Sequence, residues 1–583
     1  MLIAWFTINL SLNPMAMRQL NTVLLLLGLI AGKTGQAQNE PFAKRTVIAG
    51  LNSPWEITYG PNDSLWVTEN FSYLVKRINI ANGASTTLLN LSSLKNFSLN
   101  DGGRWPQGGL MGLAIHPNLY SSDAVTRAAK PWVYVAYVFS RPTGQTCSTN
   151  ANSSNACNFL TRIVRYDYSG NALSNPVIIL DNLPGSNDHN SGRLKIGPDM
   201  KLYYTIGDMG AGQFNNASRT NNAQAVDVME GKILRLNTET DGDTGTDAWV
   251  PNDNPFYNGT PITPRDYVYT MGHRNAQGIT WANVNSTDIL YSSEHGDKSD
   301  DEVNIITAGN NYGWNHVSGY CDGNYDGMTL GGFSPVNEES FCTTTLNNHQ
   351  PLKTFFTITP AQINALSTDN LTWPTIAPSS IDFYSANTIP GWKNSLLISC
   401  LKAGKVYRLK LNSTGDGLLN YASGVDTASY FRGEGRFRDL AISPDGLKIY
   451  VACDITGQTS GPSGGFNGGG TPPPNAGSIL EFAYTGIILP IHDVDPVTWP
   501  VAAKEIKVFP NPAQLTITVS IKIDAQKPYS IQFFKSTGVF VKSIKGRKSE
   551  TTISIADLTA GMYLVQIIDA FGKVLKVEKL IKL

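Results

Sequence analysis

WEITYGPNDSLWVTE, from Trp55 to Glu69, decides the fold: an apolar strand, a Pro-Asn turn, and a second apolar strand. The same unit returns as LMGLAIHPNLY from Leu110, GRLKIGPDMKLYYTIGD from Gly192 and GITWANVNSTDILYSSE from Gly278. It recurs in DLAISPDGLKIYVACD from Asp439 and, more loosely, in IDFYSANTIPGWKNSLLISC from Ile381. Repeats that carry Gly and aromatics at fixed offsets are the signature of propeller blades. Six copies between Pro41 and Tyr484 predict a six-bladed β-propeller of four-stranded blades. An array of unrelated β-sandwiches would have no need of the same turn chemistry each time. The expected class is all-β.

Composition agrees. The chain has 583 residues, with 54 Gly, 32 Pro, 11 Trp and 24 Tyr, a profile of strands and turns. Its 41% hydrophobic content excludes disorder. Lys plus Arg is 45 against 46 Asp plus Glu, so no basic excess exists to neutralise phosphates, and no nucleic-acid partner is expected.

The ends read as addresses. MRQLNTVLLLLGLIAGKTGQAQ, from Met17 to Gln38, has a basic start, a short apolar run and a small-residue cleavage site. The run is too short to span a bilayer, so 1–38 is assigned as a signal-peptide region. The propeller is expected over 39–486, a Pro-containing linker over 487–503, and a further domain over 504–583. That last part alternates like a small C-terminal β-sandwich, with turns at Thr537-Gly538, Thr559-Ala560-Gly561 and Phe571-Gly572. Its motifs Phe509-Pro510-Asn511-Pro512 and Gly561-Met562-Tyr563 resemble the C-terminal sorting domain of the bacterial type IX secretion system. The resemblance implies passage through the periplasm to the outer-membrane surface or beyond, with the type IX machinery as partner. An Ig-like accessory module is the alternative.

Export permits disulfides. Cys147 and Cys157 bracket a polar loop, and Cys321 and Cys342 a Gly-rich one, as loop staples would. Cys400 and Cys453 lie in apolar runs, where a free buried thiol and a bridge are both open.

In a propeller, loops from successive blades converge at one end of the axis. The Asp188-His189 pair could form an oriented base, the carboxylate on one ring nitrogen leaving the other free for a proton. On those residues alone a structural turn is the favoured reading. Arg436 and Arg438 share a strand face and repel unless an anion, or neighbouring Asp439, lies between them. The acidic run Asp297–Glu302 offers oxygen ligands that suit Ca²⁺, or is a solvated turn.

Together these segments resemble the glucose/sorbosone dehydrogenase family, including its soluble quinoprotein glucose dehydrogenases. The resemblance rests on QGGLMGLAIHP, LPGSNDHNSGRLKIGPDMKLYYTIGDMG, YTMGHRNAQG, SEHGDKSDDEVNIITAGNNYGW, WPTIAPSS, GWKNSLLISCLKAG and RFRDLAISPDG, in that order. It implies a six-bladed propeller that binds pyrroloquinoline quinone (PQQ) with Ca²⁺ and oxidises an aldose at C1 to the lactone. It further implies that His189 is the base, Asp188 its orienting carboxylate, and Arg274 the group that polarises the quinone, with Asn275 beside it. Thr375, Lys402, Arg436 and Arg438 would hold the cofactor. Gln107, Asp208, Gln213 and Trp373 would line the sugar pocket. Carbonyls of Gly296 and Asp297 would hold the cofactor's Ca²⁺, and Glu302, Tyr312, Ser318, Tyr320, Asp322 and Glu339 a structural one. The partners implied are a small-molecule sugar and an external electron acceptor, with a homodimer as an option.

Four departures stand out. Asp297 replaces the family's Pro, Met209 replaces a Gln, the loop before Trp373 lacks a small disulfide, and Asn370 stands where an aromatic is expected. They bear on sugar preference. Two other readings compete: a non-catalytic carbohydrate-binding propeller, free to lose the His, Lys and Arg residues, and a Ca²⁺-dependent propeller hydrolase, which leaves those cations unexplained.

Overall fold

The computed structural model describes residues 41–95, 106–141, 159–347, 349–421, 424–460, 472–486, 506–521, 529–535, 540–546, 549–569 and 574–583. The expected signal peptide, the Cys147/Cys157 loop and the linker lie outside these residues, as do two of the three C-terminal turns. Among the described residues no helix is long and apolar enough to cross a membrane.

Six four-stranded antiparallel sheets occupy the region up to Tyr484. Their first strands are Pro54–Gly60, Leu110–Ile115, Leu194–Ile196, Ala276–Val284, Pro378–Tyr384 and Phe437–Ile442. Five of the six repeated units supply the first two strands of one sheet; the unit from Leu110 supplies the first strand and the turn after it, and its second strand, Trp132–Ser140, follows later. Each first strand contacts the first strand of the next sheet, and Phe437–Ile442 returns to Pro54–Gly60, so the sheets close into a ring. The closing sheet borrows Phe42–Ile48 from the N-terminal side, paired antiparallel to Ile479–Tyr484. Strand Ile479–Tyr484 also pairs antiparallel with Lys448–Cys453, within that sheet.

Apolar side chains fill the space between neighbouring sheets, as strands buried on both faces require. Trp66, Tyr73, Val135 and Tyr137 share one cluster, and Tyr134, Leu202, Leu234 and Met209 another. Gly112 marks a close approach: a Cβ there would lie 2.4 Å from the Gly192 carbonyl oxygen. Met209, one of the departures from the family pattern, is fully buried in that second cluster.

The chain past Ile506 forms a three-stranded and a four-stranded sheet over one core that includes Ile517, Val519, Ile531, Phe533, Val565 and Ile567. Cys321 and Cys342 are bridged, whereas Cys400 and Cys453 are free and buried.

Candidate active site

Hydrogen bonds between the starts of the first strands and the segments that precede them show that these parts meet at one end of the ring. Ser191 Oγ donates to Asn275 Oδ1 (3.1 Å), Gln107 Nε2 to Asp188 Oδ1 (2.8 Å), and Arg438 Nη1 to Gln277 Oε1 (3.0 Å). A cavity of about 1020 Å³ is at the other end. It is lined by the far halves of the first strands and the turns after them, including Tyr59, Tyr120 and Pro444. Size alone would favour that end, but the ionisable cluster with unmet hydrogen-bonding capacity gathers at the first.

His189 is the centre of that cluster. Its Nδ1 lies 2.7 Å from Asp208 Oδ1, which fixes the proton on Nδ1 and leaves the Nε2 lone pair free. Asp188, expected to orient the ring, is on the other side, with its Oδ1 3.7 Å from Nε2. The orienting carboxylate is thus Asp208, at the end of strand Lys201–Ile206. Asp208 is wholly buried and also accepts from Gly210 N (2.9 Å), Asn221 Nδ2 (3.0 Å) and Trp314 Nε1 (2.7 Å). Burial alone would raise its pKa, but His189, Arg274 and Trp314 outweigh it and hold the carboxyl below the ordinary range.

Arg274 and Asn275 are set by Glu294, which accepts from both backbone N–H groups and from His273 Nδ1 (2.9 Å). The Arg274 guanidinium donates to Gln213 Oε1 (2.8 Å), lies over the Trp314 ring and is 4.0 Å from Asp297. Lys402 Nζ donates to Thr375 Oγ1 (2.8 Å) and to the carbonyls of Trp373 (2.7 Å) and Asn370 (2.6 Å). Burial pushes this amine down to about 8. Trp373, half-buried, donates its indole N–H to Ser367 O (2.8 Å).

Arg436 and Arg438 do share a face, and an acid does join them, but it is Asp454. Arg438 Nη2 donates to Asp454 Oδ2 (2.7 Å), and Arg436 Nε is 3.7 Å from the same oxygen. Asp439 points the other way and pairs with Arg193 (2.8 Å), because successive strand residues face opposite sides. Burial lowers Arg436 to about 10, with Asp454 opposing and Arg438 adding to the shift.

What these groups lack is acceptors. Arg274 Nε, Asn275 Nδ2, Gln213 Nε2 and Arg436 Nε are buried donors without a hydrogen-bond partner, and His295 Nε2 is buried and unpartnered among them. An unmet buried donor costs about 1–3 kcal/mol, so a cluster of them calls for a ligand rich in acceptors and negative charge. A small quinone bearing several carboxylates fits that set; a neutral apolar ligand does not.

Beside the cradle, Gly296 opens a tight turn in which a Cβ would lie 2.0 Å from Ser299 O. Asp300 and Glu338 are buried and Glu302 half-buried, with no ion pair to any of them among the described residues. Burial pushes Asp300 up to about 6 and Glu302 and Glu338 up to about 8. Glu302 accepts from Gly319 N (2.7 Å) and Glu338 from Ser318 N (3.1 Å), while Ser318 Oγ has no partner. Tyr312 donates its hydroxyl to Ile305 O (2.6 Å), Tyr320 is half-buried and Asp322 exposed. Glu339 is exposed; its neighbour Glu338 is the one that turns into the acidic group. Among the described residues no three His, Cys, Asp or Glu side chains converge as a ready metal cluster. Any ion here would therefore rely on carbonyl and hydroxyl oxygens as well, chemistry that suits Ca²⁺ rather than a transition metal.

Several of these groups carry no sequence signal. Asp454, Glu294, Trp314 and Glu338 enter the site through pairing between strands and loops far apart in the chain. Only the runs VACD and SSEHG, strands that end on an acid, hinted at the first two.

A closed ring of four-stranded sheets with a carboxylate-held imidazole and a cationic, donor-rich cradle at one end defines a propeller enzyme of the cofactor-binding kind. The chain belongs to the glucose/sorbosone dehydrogenase family, which it matches over residues 51–345 and 359–460. It is 34% identical over 495 residues to quinoprotein glucose dehydrogenase B of Acinetobacter calcoaceticus, covering 78% of this chain and 94% of that protein. Its fold is that of a crystal structure of a glucose dehydrogenase (TM-score 0.51, 22% identity, 75% and 99% of the two chains). It is also similar to the soluble aldose sugar dehydrogenase of Escherichia coli in its apo form (TM-score 0.50, 20% identity, 76% and 99%). Residues 507–582 match the secretion system C-terminal sorting domain, which marks the protein for export by a bacterium.

Proposed function

We propose that the protein is a secreted, PQQ- and Ca²⁺-dependent dehydrogenase that oxidises an aldose at C1 to the lactone. We read its ring as a six-bladed propeller and its C-terminal sheets as a sandwich. The observation that carries this is the set of unmet donors on Arg274, Asn275, Gln213 and Arg436 around the His189–Asp208 pair. The 34% identical quinoprotein supports the cofactor.

Lys402, Thr375, Asn275, Arg436 and Arg438 would hold the cofactor's acceptor groups through charged hydrogen bonds. When bound, PQQ supplies the two-electron acceptor for the hydride that leaves C1. His189 takes the C1 hydroxyl proton at Nε2, and Asp208 stabilises the imidazolium that results. Trp314 and Asn221 keep Asp208 ionised for that purpose. Arg274 presents positive charge where charge develops in the acceptor. Gln107 reaches the site through Asp188, and Gln213 and Trp373 border it, so these four would orient the sugar. The carbonyls of Gly296 and Asp297 would hold the catalytic Ca²⁺, with the Glu302, Tyr312, Ser318, Tyr320, Asp322 and Glu338 region for a structural ion.

Dye reduction is the test. Purified protein given PQQ, Ca²⁺ and a panel of aldoses should reduce the dye only when all three are present. A rate that ignores PQQ would overturn the proposal.

A further inference from the structure

Arg193 follows the catalytic loop by four residues, and its guanidinium lies where the sheets meet. Nε donates to Gln277 O (3.0 Å), Nη2 to Ser379 O (2.8 Å), and Nη1 to both Glu56 Oε2 (2.5 Å) and Asp439 Oδ2 (2.8 Å). The guanidinium carbon is 4.3 Å from the centre of the Trp55 ring. These partners belong to the first, fourth, fifth and sixth sheets, and Arg193 itself leads into the third. The second joins through Gly112 N, which donates to Gly192 O (3.0 Å). The side chain therefore bridges four sheets from the head of a fifth, and the residue before it reaches the remaining one. It is almost wholly buried, at 3% exposure.

Three of these partners also lead to the site. Gln277 gives Arg193 its carbonyl and gives Arg438 its Oε1 (3.0 Å). Asp439, which Arg193 holds, lies next in the chain to Arg438, whose own acid is Asp454. Ser379, whose carbonyl Arg193 holds, donates its hydroxyl to Phe437 O (2.8 Å), between the two cradle arginines. On the other side, His189 and Ser191 have φ of +52° and +53°. Such conformations cost about 1–3 kcal/mol each in non-glycine residues and persist only where surroundings impose them. Arg193 is the anchor at the C-terminal end of that turn, its own backbone bonded to Thr205 on both N–H (2.9 Å) and C=O (3.0 Å).

We propose that Arg193 is a positioning residue that fixes the His189 turn and the Arg436–Arg438 strand relative to one another across the closed ring. The role in turnover rests on the dehydrogenase reading above; the positioning itself does not. A lysine would keep the charge but could not span Gln277, Ser379, Glu56 and Asp439 together.

The test compares wild type, Arg193→Lys and, as a stability control, Leu236→Ala, a fully buried core position in the third sheet. Amide hydrogen exchange is followed in 186–193 and 436–439, alongside melting, kcat and KM at saturating PQQ. Arg193→Lys should speed exchange in both segments together, and lower kcat by about 10–100-fold with less than about threefold change in KM, as misplaced reacting groups do. Leu236→Ala should lower the melting temperature with kcat kept. Unchanged exchange in either segment, or equal kcat loss in the two variants at equal melting loss, would overturn the positioning role. If wild type oxidises no aldose with PQQ, the dehydrogenase reading fails, and the exchange result alone decides for or against Arg193.

Discussion

At the scale of the residue, the account turns on which nitrogen of His189 is free. His189→Ala should cut turnover by ~10²–10⁴, the usual contribution of a general base, and leave cofactor binding nearly intact. Near-normal turnover in that variant would remove His189 from its role. Asp208 gives a pH signature. Its folded pKa is depressed, so the stability it contributes is complete above its unfolded value near 3.9 and is lost as pH falls through the folded one. The stability advantage of wild type over Asp208→Asn should therefore be full at pH 6 and shrink on acidification below about pH 4. An advantage flat down to pH 2 would contradict this. Arg436→Ala should weaken PQQ binding by about 1.5–3 kcal/mol, read from an absorbance titration. The sequence points to His189, Arg436 and Arg438, but with Asp188 as the orienting carboxylate and an anion or Asp439 between the arginines, where the structure has Asp208 and Asp454. Both differences have one cause. Neighbours in the chain need not touch: strand alternation sends Asp439 to Arg193, and the left-handed turn at His189 meets Asp208, just past strand Lys201–Ile206.

Elements carry the next level. The first strands were legible from their repeated turns, since Pro-Asp and Pro-Asn pairs separate strands of opposite direction. Gly112 tests how tightly two of them meet. Gly112→Ala would set a methyl against the Gly192 carbonyl and Leu194 N, backbone atoms that cannot rotate aside. It should cost about 1–3 kcal/mol in denaturant unfolding and lower activity through the His189 turn, whereas a neutral result would show the strands can separate freely. The acidic segment is the other case. Its carboxylates were visible as a run, but helix Glu338–Thr344 decides that Glu338, not Glu339, faces inward. Chelation by EDTA should lower the melting temperature, and Ca²⁺ should restore it where Mg²⁺ does so poorly. Glu338→Gln should shrink the Ca²⁺-dependent shift, and Glu339→Gln should leave it. A shift equal in both variants would detach Glu338 from the ion.

For the whole molecule, the order of the sheets and the exported C-terminal domain were readable because each rests on local pattern. The ring closure was readable only in outline. That the strand Phe42–Ile48 completes the last sheet depends on pairing across more than four hundred residues, which no local signal reports. Closure matters to function, because it brings His189, Arg274, Lys402 and Arg436 to one end of the axis from loops on four sheets. The central claim is that this end binds one quinone and uses it to oxidise a sugar. Titration of apoprotein with PQQ in Ca²⁺, followed by one equivalent of aldose without dye, tests it most directly. The account predicts saturation at one PQQ per chain, and then reduction of the bound quinone with one equivalent of lactone formed. Failure to bind PQQ at micromolar concentrations, or a bound quinone that stays oxidised with every aldose, would contradict it.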